Sequence, residues 1–379
     1  MNHRFTLDGS ERLEKFLDEL CRESRDAIRQ IIPASKLVCI LLGGGYGRGE
    51  GGVLRKGNQD LPYNDLEFYV VHGMNFLIAQ KLYNHSLHQL ATKLSKKAGI
   101  DVEFKLLSLS QLERSGVSMF YYDLISRHYL VDGEEECLKG CEHHRAAHRI
   151  PLHEATRLLM NRCSGLLFSQ AKLEATPFTA EEADFIGRNI AKAKLALGDV
   201  LLTSKGEYHW SCLERHKRLT KLPPEQGLPE FESIVEMHEE GVEFKLHPYL
   251  ETKAREVLES ELEQIKGVAA KMWLWLEERR LQQRFGSVSA YAFHEECKCP
   301  ETNPHKNRLI NLKFFGASGV FSSKSPRERL LRSLPVLLWD ENVKNSPEIS
   351  RRLQRELAAP SDDFAVLNQN YRRIWESYN

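Results

Sequence analysis

Two acidic motifs with the same spacing lie in the first third of the sequence. Asp65 and Glu67 begin the apolar run DLEFYVV, and Asp101 and Glu103 begin a second run, DVEFKLL. Side chains two residues apart on a β-strand point to the same face, so each motif brings two carboxylates together. Clustered carboxylates repel one another unless a cation joins them, and Mg²⁺ prefers oxygen ligands. If the two strands are neighbours in a sheet, the sequence predicts a metal site formed by both motifs.

A glycine-rich run, GGGYGRGEGG, lies between the apolar segment LVCILL and the first acidic motif. Glycine allows positive φ angles and close approach of backbone amides, and consecutive N–H groups in such a turn can bind a triphosphate. A guanidinium within the run could add bidentate contacts to phosphate. By itself the run is more typical of a structural turn, but its position before an acidic strand favours nucleotide binding. The candidate nucleotide-binding residues are Gly44, Gly45, Gly47, Arg48 and Gly49.

Two common glycine motifs do not match this run. A P-loop requires Gly-Lys-Ser/Thr after its glycines, whereas Arg48, Gly49 and Glu50 stand here. The dinucleotide-binding fingerprint requires a helix that begins within the glycines. The sequence instead predicts a turn, an exposed polar loop at RKGNQDLPY and then a strand. Because the predicted order is turn, loop and strand, neither a P-loop nor a dinucleotide-binding fingerprint is assigned to this run.

Together, the segments LLGGGYGRGEGG, NDLEFYVV and IDVEF resemble the DNA-polymerase-β-type nucleotidyltransferase superfamily. Its signature is an apolar strand, a pair of small residues, a short loop, Asp-x-Asp/Glu on the next strand, and a later acidic strand. The resemblance covers roughly residues 10–110. Asp65 and Glu67 match the metal-binding pair. Asp101 matches the third carboxylate by its position, and Glu103 is the alternative.

The small-residue pair of the family is matched by Gly44 and Gly45. The second of these is glycine where the family often has serine, and the loop that follows is longer than usual. The resemblance implies nucleotidyl transfer with two Mg²⁺ ions held by Asp65 and Glu67. The third carboxylate would complete the site that activates the attacking hydroxyl. The glycine run with Arg48 would hold the β- and γ-phosphates.

The implied reaction moves a nucleoside monophosphate, expected to come from ATP, to a hydroxyl of a small molecule or a protein. The neutral charge balance and the lack of an evident basic helix weakly disfavour a nucleic-acid acceptor. The alternative is a catalytically silent nucleotide-binding or regulatory protein with the same fold. Retention of all three acidic positions favours the enzyme.

The elements that must position these residues alternate in the first part of the chain. Apolar spacing predicts strands at 37–42, 65–71 and 100–107, and helices at 8–32, 76–97 and 109–115. Further helices are predicted at 156–173, 180–202, 248–285 and 326–338, with connectors at 221–230 and 297–305. The predicted fold is α+β: a small mixed nucleotidyltransferase sheet flanked by helices, followed by a mostly α-helical domain.

Three regions are predicted along the chain. These are a nucleotidyltransferase domain at 1–148, a helical bundle at 149–295 that would bind the acceptor, and a C-terminal helical extension at 296–379 that could belong to the same bundle. The segment KAKLALGDVLLTSKGEYHW is similar to the bundle of kanamycin nucleotidyltransferase and of minimal nucleotidyltransferases. That similarity would bring Lys192 and Tyr208 near the acceptor.

Composition restricts the class of protein. The 379 residues include 53 lysines and arginines and 53 aspartates and glutamates, so net charge gives no reason to expect a bulk nucleic-acid or membrane binder. There is no apolar stretch of about 20 residues, and the N-terminal segment lacks the apolar core of a secretory signal. The eight scattered cysteines favour a reducing cytoplasm over a disulfide framework.

Two groups of cysteines and histidines contain zinc-ligand types. They are Cys137, Cys141, His143 and His144, and His294, Cys297, Cys299 and His305. Neither spacing matches a standard zinc finger. Free thiols are therefore the favoured interpretation, and structural zinc is the alternative.

Overall fold

The computed structural model describes residues 3–224, 227–228, 230–316, 319, 321–343 and 345–378. Within them the predicted α+β class is confirmed, because a small mixed sheet and a two-stranded hairpin are combined with many helices. The chain forms two compact units. The first contains the residues up to Glu154, Leu201–Leu222 and His238–Leu250. The second contains Ala155–Val200, Pro223–Met237 and the residues from Glu251 onward.

A four-stranded sheet forms the centre of the first unit. The strands of the chain are β1 (Leu37–Leu42), β2 (Val53–Lys56), β3 (Gln59–Pro62), β4 (Leu66–His72), β5 (Val102–Ser108) and β6 (Tyr129–Asp132). The sheet order is β5-β4-β1-β6, and β2 and β3 form a separate hairpin. β4 and β5 are parallel, whereas β1 is antiparallel to both β4 and β6.

The helices are given in chain order. The first eight are α1 (Glu11–Ile31), α2 (Gly44–Arg48), α3 (Phe76–Ala98), α4 (Leu109–Arg114), α5 (Met119–Ser126), α6 (Leu152–Leu173), α7 (Ala180–Ser204) and α8 (Cys212–Leu219). The remaining ones are α9 (Phe231–Leu246), α10 (Arg255–Leu281), α11 (Val288–Phe293), α12 (Pro304–Phe315), α13 (Pro326–Trp339), α14 (Pro347–Leu357) and α15 (Phe364–Tyr378). Short 3-10 segments occupy Glu135–Arg145 and Ala147–Arg149.

The two central strands are buried on both faces. Ile40 and Leu42 of β1 point into a core with α1 and α3, whereas Cys39 and Leu41 point into a second core with α4 and α5. β4 alternates in the same way, so a continuous apolar run is required at both strands. This burial fixes the register, because a slip of one residue would exchange the two faces.

Several elements differ from the sequence-based expectations. The segment RKGNQDLPY, predicted as an exposed loop, contributes to the β2–β3 hairpin, which turns at Gly57 with φ of 60°. The predicted helix at 248–285 occupies only Arg255–Leu281. No bounds were predicted for β6, α5, α8, α9, α11, α12, α14 and α15, although the last six helices fall in regions predicted to be helical. The connector predicted at 221–230 includes residues 225, 226 and 229, which lie outside the described residues. The connector predicted at 297–305 ends where α12 begins.

None of the helices in the described part of the chain combines the length and the apolar character needed to span a lipid bilayer.

Candidate metal centre

Three chain segments meet at one end of the mixed sheet. The glycine run leaves the C-terminal end of β1, and this end lies beside the beginning of β4 because Leu42 pairs with Phe68 in an antiparallel register. Gly43 N donates to the carbonyl oxygen of Glu67 at 2.9 Å. β5 runs parallel to β4, so Glu67 and Glu103 pair at the same end of the sheet. The two acidic motifs are therefore on neighbouring strands, as the predicted metal site required.

Three carboxylates form a group, termed the acid cluster: Asp65, Glu67 and Glu103. One oxygen of each lies within 4.8 Å of the others, and no other such trio of metal-ligating side chains occurs among the described residues. Asp101, the first choice for the third carboxylate, is not part of this group, and the alternative, Glu103, takes its place. The register explains the difference, because Glu103 lies directly opposite Glu67, whereas Asp101 precedes β5.

A lysine lies among these carboxylates. Lys105 Nζ is 2.6 Å from Glu67 Oε1 and 2.8 Å from Glu103 Oε2. Tyr69 donates its hydroxyl to the same oxygen of Glu67 at 3.1 Å. The Lys105 side chain remains 44% exposed, so solvent reaches the ion pairs and weakens them. Lys105 thus partly offsets the charge of the three carboxylates without burying them.

The protonation equilibria of the cluster reflect its excess of negative charge. The pKa of Asp65 is raised because its carboxyl is partly desolvated and because Glu67 and Glu103 disfavour its ionised form. Burial favours the neutral amine of Lys105, but hydrogen bonds to Glu103 and Glu67 outweigh it, so the pKa of this ammonium is raised. An additional cation would therefore be stabilised here.

The donor set of the acid cluster fits a hard divalent cation. An octahedral Mg²⁺ about 2.1 Å from its ligands places neighbouring oxygens ~3 Å apart and opposite oxygens ~4.2 Å apart. The three carboxylate oxygens lie within 4.8 Å of one another, which is close to that spacing. Asp65, Glu67 and Glu103 are thus the residues that would hold the ion.

The glycine run begins with a single turn of helix, α2, where the sequence predicted a turn or loop, so the expectation that no helix begins within the glycines was wrong. Gly44 opens the turn with φ of 62°, and a Cβ at this position would lie 2.9 Å from Glu67 Oε2. A Cβ at Gly47 would overlap the carbonyl oxygen of Leu42. Both positions therefore require glycine, one for its conformation and one for close packing. The run contacts the acid cluster through Gly44.

The other predicted nucleotide-binding residues are engaged within the protein. The carbonyl oxygen of Gly45 accepts from Glu50 N at 2.9 Å, and Gly49 ends α2 with φ of 81°. Arg48 Nη1 donates to an Asp123 carboxylate oxygen on α5 at 3.0 Å. Burial opposes the charge of Arg48, but Asp123 outweighs it, and the pKa of the guanidinium is raised. Phosphate binding by Arg48 stays a prediction.

Tyr208 belongs to the same network as Arg48. It is 3% exposed, and its hydroxyl donates to Asp123 at 3.3 Å and accepts from Arg215 Nη1 at 3.3 Å. Lys192 lies on α7, in the second unit. Acceptor binding by Tyr208 or Lys192 stays a prediction.

Sequence reasoning did not identify Lys105, Tyr69 or Asp123. Lys105 could have been identified from the sequence, because it follows Glu103 by two residues on β5 and so shares its face. Tyr69 similarly follows Glu67 by two residues on β4. Asp123 could not have been identified from the sequence, because its pairing with Arg48 depends on the packing of α5.

The cysteine–histidine groups are not among the clusters of metal-ligating side chains in the described residues. The imidazole Nε2 of His143 lies 2.9 Å from the carbonyl oxygen of Ser115, and that of His144 lies 2.9 Å from the carbonyl oxygen of Leu112. These histidines therefore stabilise the fold through backbone contacts. All eight cysteines are free thiols.

No protein-family model and no curated protein sequence matches this chain.

Proposed function

We propose that the protein is a Mg²⁺-dependent nucleotidyltransferase that moves AMP from ATP to a hydroxyl of a small molecule or a protein. The observation that carries this proposal is the acid cluster of Asp65, Glu67 and Glu103, with oxygens within 4.8 Å of one another beside Gly44. The order of the segments and their resemblance to nucleotidyltransferases support the same reaction. The free thiols support a cytoplasmic location.

The proposed reaction is a displacement at the α-phosphorus. The acceptor oxygen forms a bond to phosphorus, and the bond between phosphorus and the oxygen bridging to the β-phosphate breaks. Pyrophosphate leaves with the electron pair of that bond, and the acceptor proton passes to a carboxylate or to solvent. Two Mg²⁺ ions, when bound, supply neutralisation of the phosphate charge. Asp65, Glu67 and Glu103 would hold these ions, and Gly44 would allow close approach of the nucleotide.

Transfer of label from α-³²P-ATP tests this function. Purified protein is incubated with the labelled nucleotide, Mg²⁺ or Mn²⁺ and a cell extract, and label is followed in protein, RNA and small-molecule fractions. We expect metal-dependent labelling of a small molecule or a protein. The variant Asp65→Asn/Glu67→Gln should abolish it while the melting temperature stays near that of the wild type. Labelling that persists in this variant, or wild-type protein that binds no nucleotide, would contradict the proposal.

Lys105 favours a second candidate, a nucleotide-binding regulatory protein without turnover. Its ammonium contacts Glu67 at 2.6 Å and Glu103 at 2.8 Å, so it occupies the side of the cluster where a cation is expected. A protein of this kind would bind ATP measurably in equilibrium dialysis but release no pyrophosphate in any extract. Pyrophosphate release that depends on Asp65 and Glu67 excludes it.

A further inference from the structure

A second concentration of charge, opposite in sign, lies in the second unit. A pocket of about 540 Å³ is formed by the end of α11, the segment before α13, and helices α13 and α14. Its volume is typical of small-molecule sites. The cationic side chains that line this basic pocket are Lys324, Arg329, Arg332, Arg352 and Arg355, and the acidic ones are Glu295 and Glu356. Positive charge is therefore in excess.

Arg332 forms the fixed wall of the basic pocket. It is 4% exposed, pairs with Glu328 at 3.0 Å, and donates to the carbonyl oxygens of His294 and Glu296, each at 2.6 Å. These bonds satisfy the guanidinium and hold the segment after α11 in place. Arg332 shapes the pocket and is not available to a ligand.

Arg329 is buried at the pocket with an unsatisfied donor. It is 6% exposed, and its guanidinium lies 4.7 Å from the ring centroid of Phe315. Its Nη1 donates to the carbonyl oxygen of Glu356 at 2.7 Å, whereas its Nε has no hydrogen-bond partner among the described residues. Buried donors are normally paired, because an unpaired one loses its hydration without compensation. The open donor indicates an acceptor that the described residues do not provide.

Two further guanidiniums lack ion-pair partners among the residues that the structure describes. Arg352 lies 4.2 Å from the ring centroid of Phe293, and this stacking holds its planar group in a defined orientation. Arg355, one turn further along α14, is exposed. Within the described part of the chain, neither side chain pairs with a carboxylate, whereas Lys324 pairs with Glu356. Like charges held together disfavour each other, so an anion between them would be stabilised.

An aromatic ring stands at the rim of the same pocket. Phe321 is 89% exposed and is one of its lining residues. A large apolar side chain so exposed beside guanidiniums can stack on a planar ring, as aromatic side chains do on nucleobases. The pocket thus combines groups for an anion with a surface for a flat ring.

We propose that the basic pocket binds a small molecule that carries a phosphate monoester and a planar ring. The phosphate dianion would lie between Arg352 and Arg355, within reach of the open donor of Arg329, and the ring would lie on Phe321. Guanidinium groups match phosphate through paired hydrogen bonds. This site is independent of the proposed transferase function, because its lining residues all belong to the second unit.

Calorimetric titration with adenosine monophosphate in EDTA tests the proposal, with ribose 5-phosphate and inorganic pyrophosphate as further probes. Arg352→Gln/Arg355→Gln should weaken adenosine monophosphate binding about tenfold or more. Arg351→Gln removes an exposed charge from the same helix outside the pocket and should leave affinity unchanged. Phe321→Ala should remove the preference for adenosine monophosphate over ribose 5-phosphate, expected to be about tenfold. If the double variant fails to fold, the single variant Arg355→Glu replaces it, because this side chain is exposed, and it should weaken adenosine monophosphate binding in the same way.

Three results would overturn the proposal. They are no binding of any probe by the wild type at millimolar concentration, equal losses in the pocket and Arg351 variants, and tighter binding of single-stranded RNA than of adenosine monophosphate. The variant Asp65→Asn/Glu67→Gln should bind adenosine monophosphate as the wild type does. Failure of the transferase proposal and failure of this one are therefore distinguishable.

Discussion

Two lysines, one in each unit of the molecule, have opposite surroundings and opposite shifts of pKa. In the first unit, Lys105 lies between Glu67 and Glu103, remains 44% exposed and has a raised pKa. In the second unit, Lys298 is 0% exposed, and its Nζ has no hydrogen-bond partner among the described residues. Burial, followed by the charge of Arg332, lowers its pKa to about 8. The first lysine forms ion pairs, whereas the second forms neither an ion pair nor an Nζ hydrogen bond among the described residues.

Solvent and aromatic rings account for this difference. Excess negative charge is tolerated at the acid cluster because water and Lys105 offset it. Excess positive charge in the second unit is held on aromatic faces: Lys298 Nζ lies 4.7 Å from the ring centroid of Tyr291, and Arg352 lies 4.2 Å from that of Phe293. The first region therefore favours an added cation, and the second favours an added anion.

The largest expected effect distinguishes Glu103 on β5 from Asp101, which precedes this strand. Glu103→Gln should weaken Mn²⁺ binding, and with it nucleotidyl transfer, by about 100-fold, because it removes one of the three clustered carboxylates. Asp101→Asn removes the same charge two residues away, outside the cluster, and should change either quantity less than about threefold. Calorimetric titration measures the Mn²⁺ affinity of each variant, and the label-transfer assay measures its nucleotidyl transfer.

The reverse ranking of these two variants would contradict the assignment of Glu103. Equal, moderate losses in both would indicate a general effect of negative charge at this end of the sheet. In that case the acid cluster would attract cations without binding one in a defined position.

The acid cluster could be anticipated from sequence because strand periodicity places its members. Two buried apolar runs, each beginning with Asp-x-Glu, fix which side chains share a face. Periodicity does not give the relative register of the strands. The choice between Asp101 and Glu103 therefore depended on the pairing of Glu67 with Glu103.

The basic pocket could not be anticipated in this way. Its residues come from positions spread between Ala292 and Glu356, on separate helices and a connecting segment, and only tertiary packing brings them together. The β2–β3 hairpin was missed for a related reason, because GNQDLP lacks an apolar alternation. Its pairing with VLRK compensates for this weak local preference.

A moderate effect is expected when the counter-ion of the acid cluster is removed. Lys105→Met should strengthen Mn²⁺ binding about tenfold, because the ammonium no longer competes for Glu67 and Glu103. Lys97→Met removes an exposed lysine that pairs with Glu23 and is the matched control, with unchanged affinity expected. Weaker binding in Lys105→Met would show that Lys105 positions the carboxylates instead of competing for them.

The smallest expected effect concerns Lys298 and depends on pH. Its pKa is about 8 in the folded protein and near the ordinary 10.5 when unfolded, so the unfolded chain holds the proton more tightly. The unfavourable contribution is complete below pH 8 and disappears as pH rises toward 10.5. Lys298→Met should therefore raise the free energy of unfolding by about 1 kcal/mol at pH 7, and this gain should vanish near pH 10.5.

Urea unfolding between pH 7 and pH 10.5 measures this gain, with the exposed Lys313→Met as control. A pH-independent difference between Lys298→Met and the wild type would mean that Lys298 is already neutral at pH 7, and the contrast with Lys105 would then be one of protonation state as well as of surroundings.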